Sequence, residues 1–222
     1  MKRILSMMFV ALAASGVQAQ SPTAVMDRAV KVYGEMKSVR AEFTQSITNP
    51  ITGTNATSRG VLLRKDPKFL SINFSDPKGD RIVSDGSMLW VYLPSSAPGQ
   101  VIRATVQGNS SLAMVDPAGF ILSSPSTQYT LSGGGSAVLS GRKMNVINLV
   151  PKKSNGMFTR AKVWVAESSG MVRQFEVTDA NGLTRLITIT SMQPNAAVSP
   201  SEFKFNPPKN VRVLDSSALY GR

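Results

Sequence analysis

The sequence predicts a mainly β protein of the α+β class, one domain built on a large antiparallel sheet or barrel and entered through a single N-terminal helix. Three observations predict it. Apolar and polar residues alternate in about eleven short segments between Val39 and Met192. Turn-forming residues separate nearly all of those segments. The one long stretch of helical period precedes them all, and the β-α-β alternation of a parallel sheet is absent.

The chain opens with Lys2 and Arg3 before an apolar run from Ile4 to Val17, closed by Val17-Gln18-Ala19, a small-residue pattern of the A-x-A kind. Residues 1–19 read as a secretory signal peptide. The run is shorter than the roughly 20 apolar residues of a spanning helix. The expectation is an exported, soluble protein, with residues 20–222 as a single domain carrying 23 basic and 13 acidic groups. No cysteine follows the cleavage point, so the chain is not expected to be a lipoprotein itself.

Ser21-Pro22 supplies an N-cap and a proline for the first helical position. Val25, Ala29, Val32 and Met36 then recur at helical spacing, widened by Met26, Val30 and Tyr33, with charged residues opposite. A helix of about four turns follows, weakest at Gly34. From Val39 the period becomes two, with Ala41, Phe43 and Ile47 on one face. Further strands are predicted over 59–65, 69–75, 80–84, 88–93, 101–104, 127–131, 144–150, 158–165, 172–179 and 183–192. Asp66-Pro67, Asp76-Pro77, Asp85-Gly86, Ser154-Asn155-Gly156, Ser168-Ser169-Gly170 and Asn181-Gly182 read as turns. Asp116-Pro117 starts a short apolar helix within 112–124, and Gly133-Gly134-Gly135 reads as a flexible hairpin loop.

Composition removes whole classes of chemistry. The chain has no cysteine and no histidine, which excludes disulfides, thiolate metal sites, cysteine nucleophiles and the commonest general base. Ser75-Asp76-Pro77-Lys78 and Ser201-Glu202-Phe203-Lys204 match the S-x-x-K spacing of serine acyl-enzymes, but the companion S-D-N and K-T-G elements are missing. The basic excess, +12 overall, is spread along the chain in nothing longer than pairs, which argues against a nucleic-acid stripe. A diffuse positive field suits anionic head groups, acidic partners or solubility alone.

A sheet of about ten strands curls on itself, and its apolar face must be covered. Leu70, Ile72 and Phe74 share one face of their strand, yet two helices are little cover for so large a sheet. Either the interior fills with the protein's own side chains, the ordinary meaning of apolar stripes, or it stays open as a cavity lidded by the helices.

Phe43-Thr44-Gln45 after the helix, the run from Val83-Ser84-Asp85-Gly86 through Leu89-Trp90-Val91-Tyr92-Leu93-Pro94, Pro151-Lys152-Lys153-Ser154-Asn155-Gly156, and Phe203-Lys204-Phe205-Asn206-Pro207-Pro208-Lys209-Asn210-Val211 resemble the LolA family, in order along the chain after residue 19. The resemblance implies an open, incomplete antiparallel barrel of about ten or eleven strands, with a helical lid over an apolar cavity. It implies a periplasmic carrier that takes lipoproteins by their acyl chains from an inner-membrane ABC transporter and delivers them to an outer-membrane receptor or to that membrane directly. No covalent chemistry, cofactor, metal or nucleic acid is implied, and a monomer is expected. The expected acyl-chain wall is Leu70, Ile72 and Phe74, joined by Phe43, Leu62, Ile82, Leu89, Val91 and Phe175, with Phe120 and Leu122 on the lid. The family commonly places Arg-Pro where Asp66-Pro67 stands here, and that arginine is associated with holding the lid; the charge is reversed at Asp66, leaving Lys65 as a substitute. A different reading keeps the fold but makes it a sensor of mislocalised lipids or lipoproteins.

Overall fold

Ser21 accepts a hydrogen bond from the Ala24 amide (3.2 Å) and Pro22, which has no amide to satisfy, occupies the first position of α1 (Pro22–Gly34). The computed structural model describes residues 20–65, 68–106, 112, 115–123, 125–154 and 157–216; the expected signal peptide and the Asp66-Pro67 pair lie outside them. Val25, Met26 and Ala29 are the buried positions of α1, as its helical stripe requires.

Two antiparallel meanders follow. The first runs β1 (Ser38–Asn49), β2 (Thr54–Lys65), β3 (Phe69–Asp76), β4 (Lys78–Asp85), β5 (Met88–Tyr92) and β6 (Gln100–Thr105). Two short helices, α2 (Pro117–Ser123) and α3 (Pro125–Gln128), lead to the second: β7 (Tyr129–Leu139), β8 (Arg142–Pro151), β9 (Arg160–Ala166), β10 (Val172–Thr178) and β11 (Thr184–Pro194). A last short strand, β12 (Arg212–Asp215), runs parallel to β6. The strands form one twelve-stranded sheet in the order β12-β6-β5-β4-β3-β2-β1-β11-β10-β9-β8-β7, open between β12 and β7.

β1 joins the meanders, pairing with β2 on one side and β11 on the other. Ladder register then sets the inner face. Ala41, Leu62, Ile72, Ile82, Val91 and Ile102 stand opposite one another in turn across β1 to β6, one continuous apolar row. In the next row Gly60 lies between Phe43 and Phe74, whose rings meet edge to face at 5.7 Å. A Cβ at Gly60 would collide with the Asn73 carbonyl oxygen, so glycine lets β3 approach there.

The glycine run is not the predicted loop. Gly133–Gly135 lies within β7, where the register against β8 shifts between Gly133 and Ser136, and a Cβ at Gly134 would press on Val146 at 2.9 Å. The hairpin turns instead at Ser140-Gly141, both at positive φ (48° and 74°) between the paired Leu139 and Arg142, the geometry of a type I′ turn.

After β11 the chain crosses the outer face as a strap. Ser38 donates to the Ala196 carbonyl (2.6 Å), Ser199 caps a 3-10 turn at Pro200–Phe203, and Phe203, 3% exposed, packs on Phe69. Phe205 lies against Trp90 and Tyr92. β12 anchors the strap's end, with a two-pronged Arg103–Asp215 pair at 2.8 and 3.0 Å.

Candidate functional site

The concave face of the sheet is not filled by its own side chains. A cavity of about 800 Å³ lies between it and the helices, in the range of sites that enclose small-molecule ligands. Its wall is the inner row Ala41, Leu62, Ile72, Ile82, Val91 and Ile102, extended by Phe43, Phe74, Leu89, Phe175, Ile187 and Ile189. α1 contributes Ala29, Val32 and Tyr33, Met36 stands two residues beyond its end, and α2 with its entry contributes Val115, Pro117, Ala118 and Leu122.

Eight of the nine residues expected on the wall border this cavity: Phe43, Leu62, Ile72, Phe74, Ile82, Leu89, Val91 and Phe175. Leu70 does not. It is 1% exposed and packed inside the core cluster, on the β3 stretch opposite Arg64 and Ser84. On the lid, Leu122 borders the cavity while Phe120 packs against the core beside it. Lys65 is solvent-exposed at the end of β2, and Asp66 lies outside the described residues. Ser75, the first of the S-x-x-K serines, is exposed and donates to the Arg59 carbonyl (3.3 Å).

The cation at the lid is Arg64. It occupies the inward phase of β2, two residues after Leu62, and is 8% exposed. Its guanidinium carbon stacks 3.7 Å from the centre of the Tyr33 ring, a desolvated cation–π contact. The Tyr33 hydroxyl donates to Asp116 Oδ2 (3.4 Å), and Asp116 Oδ1 caps α2 by accepting from the Gly119 amide (3.0 Å). One stack thus ties β2, α1 and α2. Arg64 Nη2 is buried and has no hydrogen-bond partner among the described residues, so the closed arrangement carries an unsatisfied donor.

Burial pushes the Asp116 carboxyl above its ordinary value, against the Gly119 amide, Arg64 and Tyr33, all of which favour the anion. Burial, reinforced by Asp116, pushes the Tyr33 phenol well up, so it remains a donor at neutral pH.

The other end of the cavity is more polar. Gln45 donates to Ser58 (3.0 Å), Arg185 borders the cavity beside Ile47, and the wall residues Ala56 and Thr57 are exposed, marking an opening. Sequence reasoning passed over Arg64, Arg185 and Gln45. The available signal was the phase of the strand, since each stands where the alternation calls for an apolar side chain.

A family model described as outer membrane lipoprotein carrier protein LolA matches residues 34–206. An outer-membrane lipoprotein carrier protein of Serratia proteamaculans is 28% identical over 207 residues, covering 91% of this chain and 92% of its own. Another so named, from Cupriavidus necator, is 26% identical over 218 residues, covering 96% and 98%. Among solved structures, an uncharacterized conserved protein of Thermus thermophilus superposes with a TM-score of 0.55 at 13% identity, over 88% of this chain and 99% of that one, a likeness of fold. The twelve strands, open sheet and family match agree: this chain belongs to the LolA family of outer-membrane lipoprotein carrier proteins.

Proposed function

We propose that the protein carries lipoproteins across the periplasm with their acyl chains held in the cavity beneath α1 and α2, taking them from an inner-membrane ABC transporter and delivering them to an outer-membrane receptor or to that membrane. It acts as a non-enzymatic chaperone. The observation that supports this most is the apolar cavity itself, walled by Ile72, Phe74, Leu62 and their neighbours on strand faces that would otherwise pack shut.

Magnitudes favour a moving lid. A methylene takes about the room of a water molecule, roughly 30 Å³, so a cavity of about 800 Å³ accepts fewer than thirty chain carbons. Three long acyl chains exceed that, and loading requires the helices to shift. At roughly 0.8 kcal/mol for each methylene buried, a full cavity gains on the order of 20 kcal/mol, too much for ready release unless closure costs part of it. The Arg64–Tyr33–Asp116 stack is the element we assign to that control, in the role sought from Lys65 and Asp66.

The test places photo-crosslinking residues at Ile72 and Phe74, with Leu70 as a core position that does not border the cavity. Periplasmic lipoproteins should be captured from the first two sites and far less from the third. No capture at Ile72 or Phe74 would defeat the proposal.

A further inference from the structure

The two edges of the open sheet are finished differently. β12, at one edge, is four residues long and is held by the Arg103–Asp215 pair. β7, at the other, runs for eleven residues and lacks both the charges and the proline that keep an exposed edge from pairing. Its glycine bulge interrupts the strand but leaves two regular stretches, 130–133 and 136–139. Among the described residues, the backbone over 130–139 makes no hydrogen bond except to β8, so a row of amides and carbonyls points out of the sheet. No residue of β7 borders the cavity.

Charge decides what fits there. β8, the neighbour of β7, begins with exposed Arg142 and Lys143, opposite Leu139 and Val138. Arg173 stands near them: burial first, and the Arg142 charge second, hold its pKa below the ordinary value. Past the other end of β7, Lys153 is exposed. Among the described residues none of these four cations forms an ion pair, although the Glu167 amide donates to the Lys143 carbonyl. Two copies of β7 side by side would bring such ends together, cation against cation in either direction, on a chain of net charge +12. An incoming strand with acidic ends meets opposite charge instead.

We infer that β7 is a docking edge, to which a partner protein adds as a further strand an extended segment that is uncharged in its middle and acidic where it passes Arg142 and Lys143. Main-chain hydrogen bonds hold the segment, and the flanking cations select it. The edge is separate from the cavity, so the partner engages the protein whether the cavity is filled or empty.

Matched peptides test it. The probe is a fluorescently labelled peptide of alternating threonine and valine with two glutamates at each end, as long as β7, added to the full chain. It should bind on the order of tenfold tighter than the same peptide with lysines in place of the glutamates, the scale on which cross-strand charge pairs change from attractive to repulsive at two positions. Binding should slow amide exchange over residues 130–139, and N-methylation of the peptide's central amides should abolish both effects. Arg142→Glu combined with Lys143→Glu, at exposed positions that the fold does not depend on, should remove the preference for the acidic peptide. Equal binding of the two peptides by the unmodified protein overturns the proposal, as do binding without added protection in β7, binding that survives N-methylation, and no binding of the acidic peptide at all. Protection of β7 that grows with protein concentration in the absence of peptide gives the edge to a second copy and overturns it too. None of these outcomes bears on acyl chains in the cavity, which crosslinking at Ile72 and Phe74 decides separately.

Discussion

Replacing Tyr33 by leucine removes the ring on which Arg64 stacks and the hydroxyl that reaches Asp116, leaving a buried guanidinium and carboxyl without their bridge. The desolvated cation–π contact contributes about 2 kcal/mol. The hydroxyl–carboxylate bond, long at 3.4 Å, adds roughly 0.5–1 kcal/mol. Their sum of about 2.5–3 kcal/mol shifts the closed-to-open ratio of the lid by about a hundredfold. Tyr33→Phe keeps the ring and loses only the hydroxyl, which limits its effect to about fivefold or less. The absence of native cysteine makes the assay clean: cysteines introduced at exposed Ser123 on α2 and exposed Lys65 on β2 carry a spin-label pair whose separation reports the lid. Tyr33→Leu should transfer population to longer distances and speed release of a bound acyl ligand, while Tyr33→Phe moves both slightly. Equal effects from the two substitutions, or none from either, would refute the assignment of the stack to lid control.

Further outcomes follow from other contacts. Because burial under the lid raises the Asp116 pKa above its ordinary 3.8, the closed form takes up a proton more readily than a form with the carboxyl in water; closure should strengthen as pH falls from the raised value towards the ordinary one and gain nothing more below it. Asp116→Asn, which keeps a capping side chain, should abolish that pH dependence in the spin-label distances. Gly60→Ala should destabilise by about 2 kcal/mol through the collision with Asn73, a fall in Tm of about 4–8 °C, whereas Gly34→Ala, with open space around its Cβ, should stabilise α1 by about 0.5 kcal/mol. Phe203→Ala should cost about 3–5 kcal/mol in denaturant unfolding yet leave acyl-ligand affinity unchanged, because the strap lies on the outer face.

Much of this fold is legible because its local signals agree. Ser21-Pro22 caps the helix it announces, Asp116-Pro117 starts α2, and the strands of both meanders alternate between turns such as Asp179–Leu183, where the Asp179 side chain accepts from the Asn181 and Leu183 amides. β12 was missed because four residues pairing in parallel with β6 show neither a hairpin nor enough alternation to count. Gly133–Gly135 misled for a steric reason: a residue without Cβ reads as loop, but here it lets β7 pass over Val146. The site divides along the same line. Period two places Phe43, Ile72 and Phe74 on one face, but an apolar face bordering a cavity and one packed solid have the same period, as Leu70 shows beside Ile72. Arg64 breaks the alternation in phase with the inner face, and its meaning depends on Tyr33 and Asp116, which only the folded chain brings near it.

Native mass spectrometry of the protein isolated from the periplasm of cells overproducing a triacylated lipoprotein addresses the cavity most directly. The account predicts a one-to-one adduct with that lipoprotein, absent when Ile72→Arg places a charge in the wall of an otherwise folded protein. The bare chain as the sole species in both preparations would contradict it.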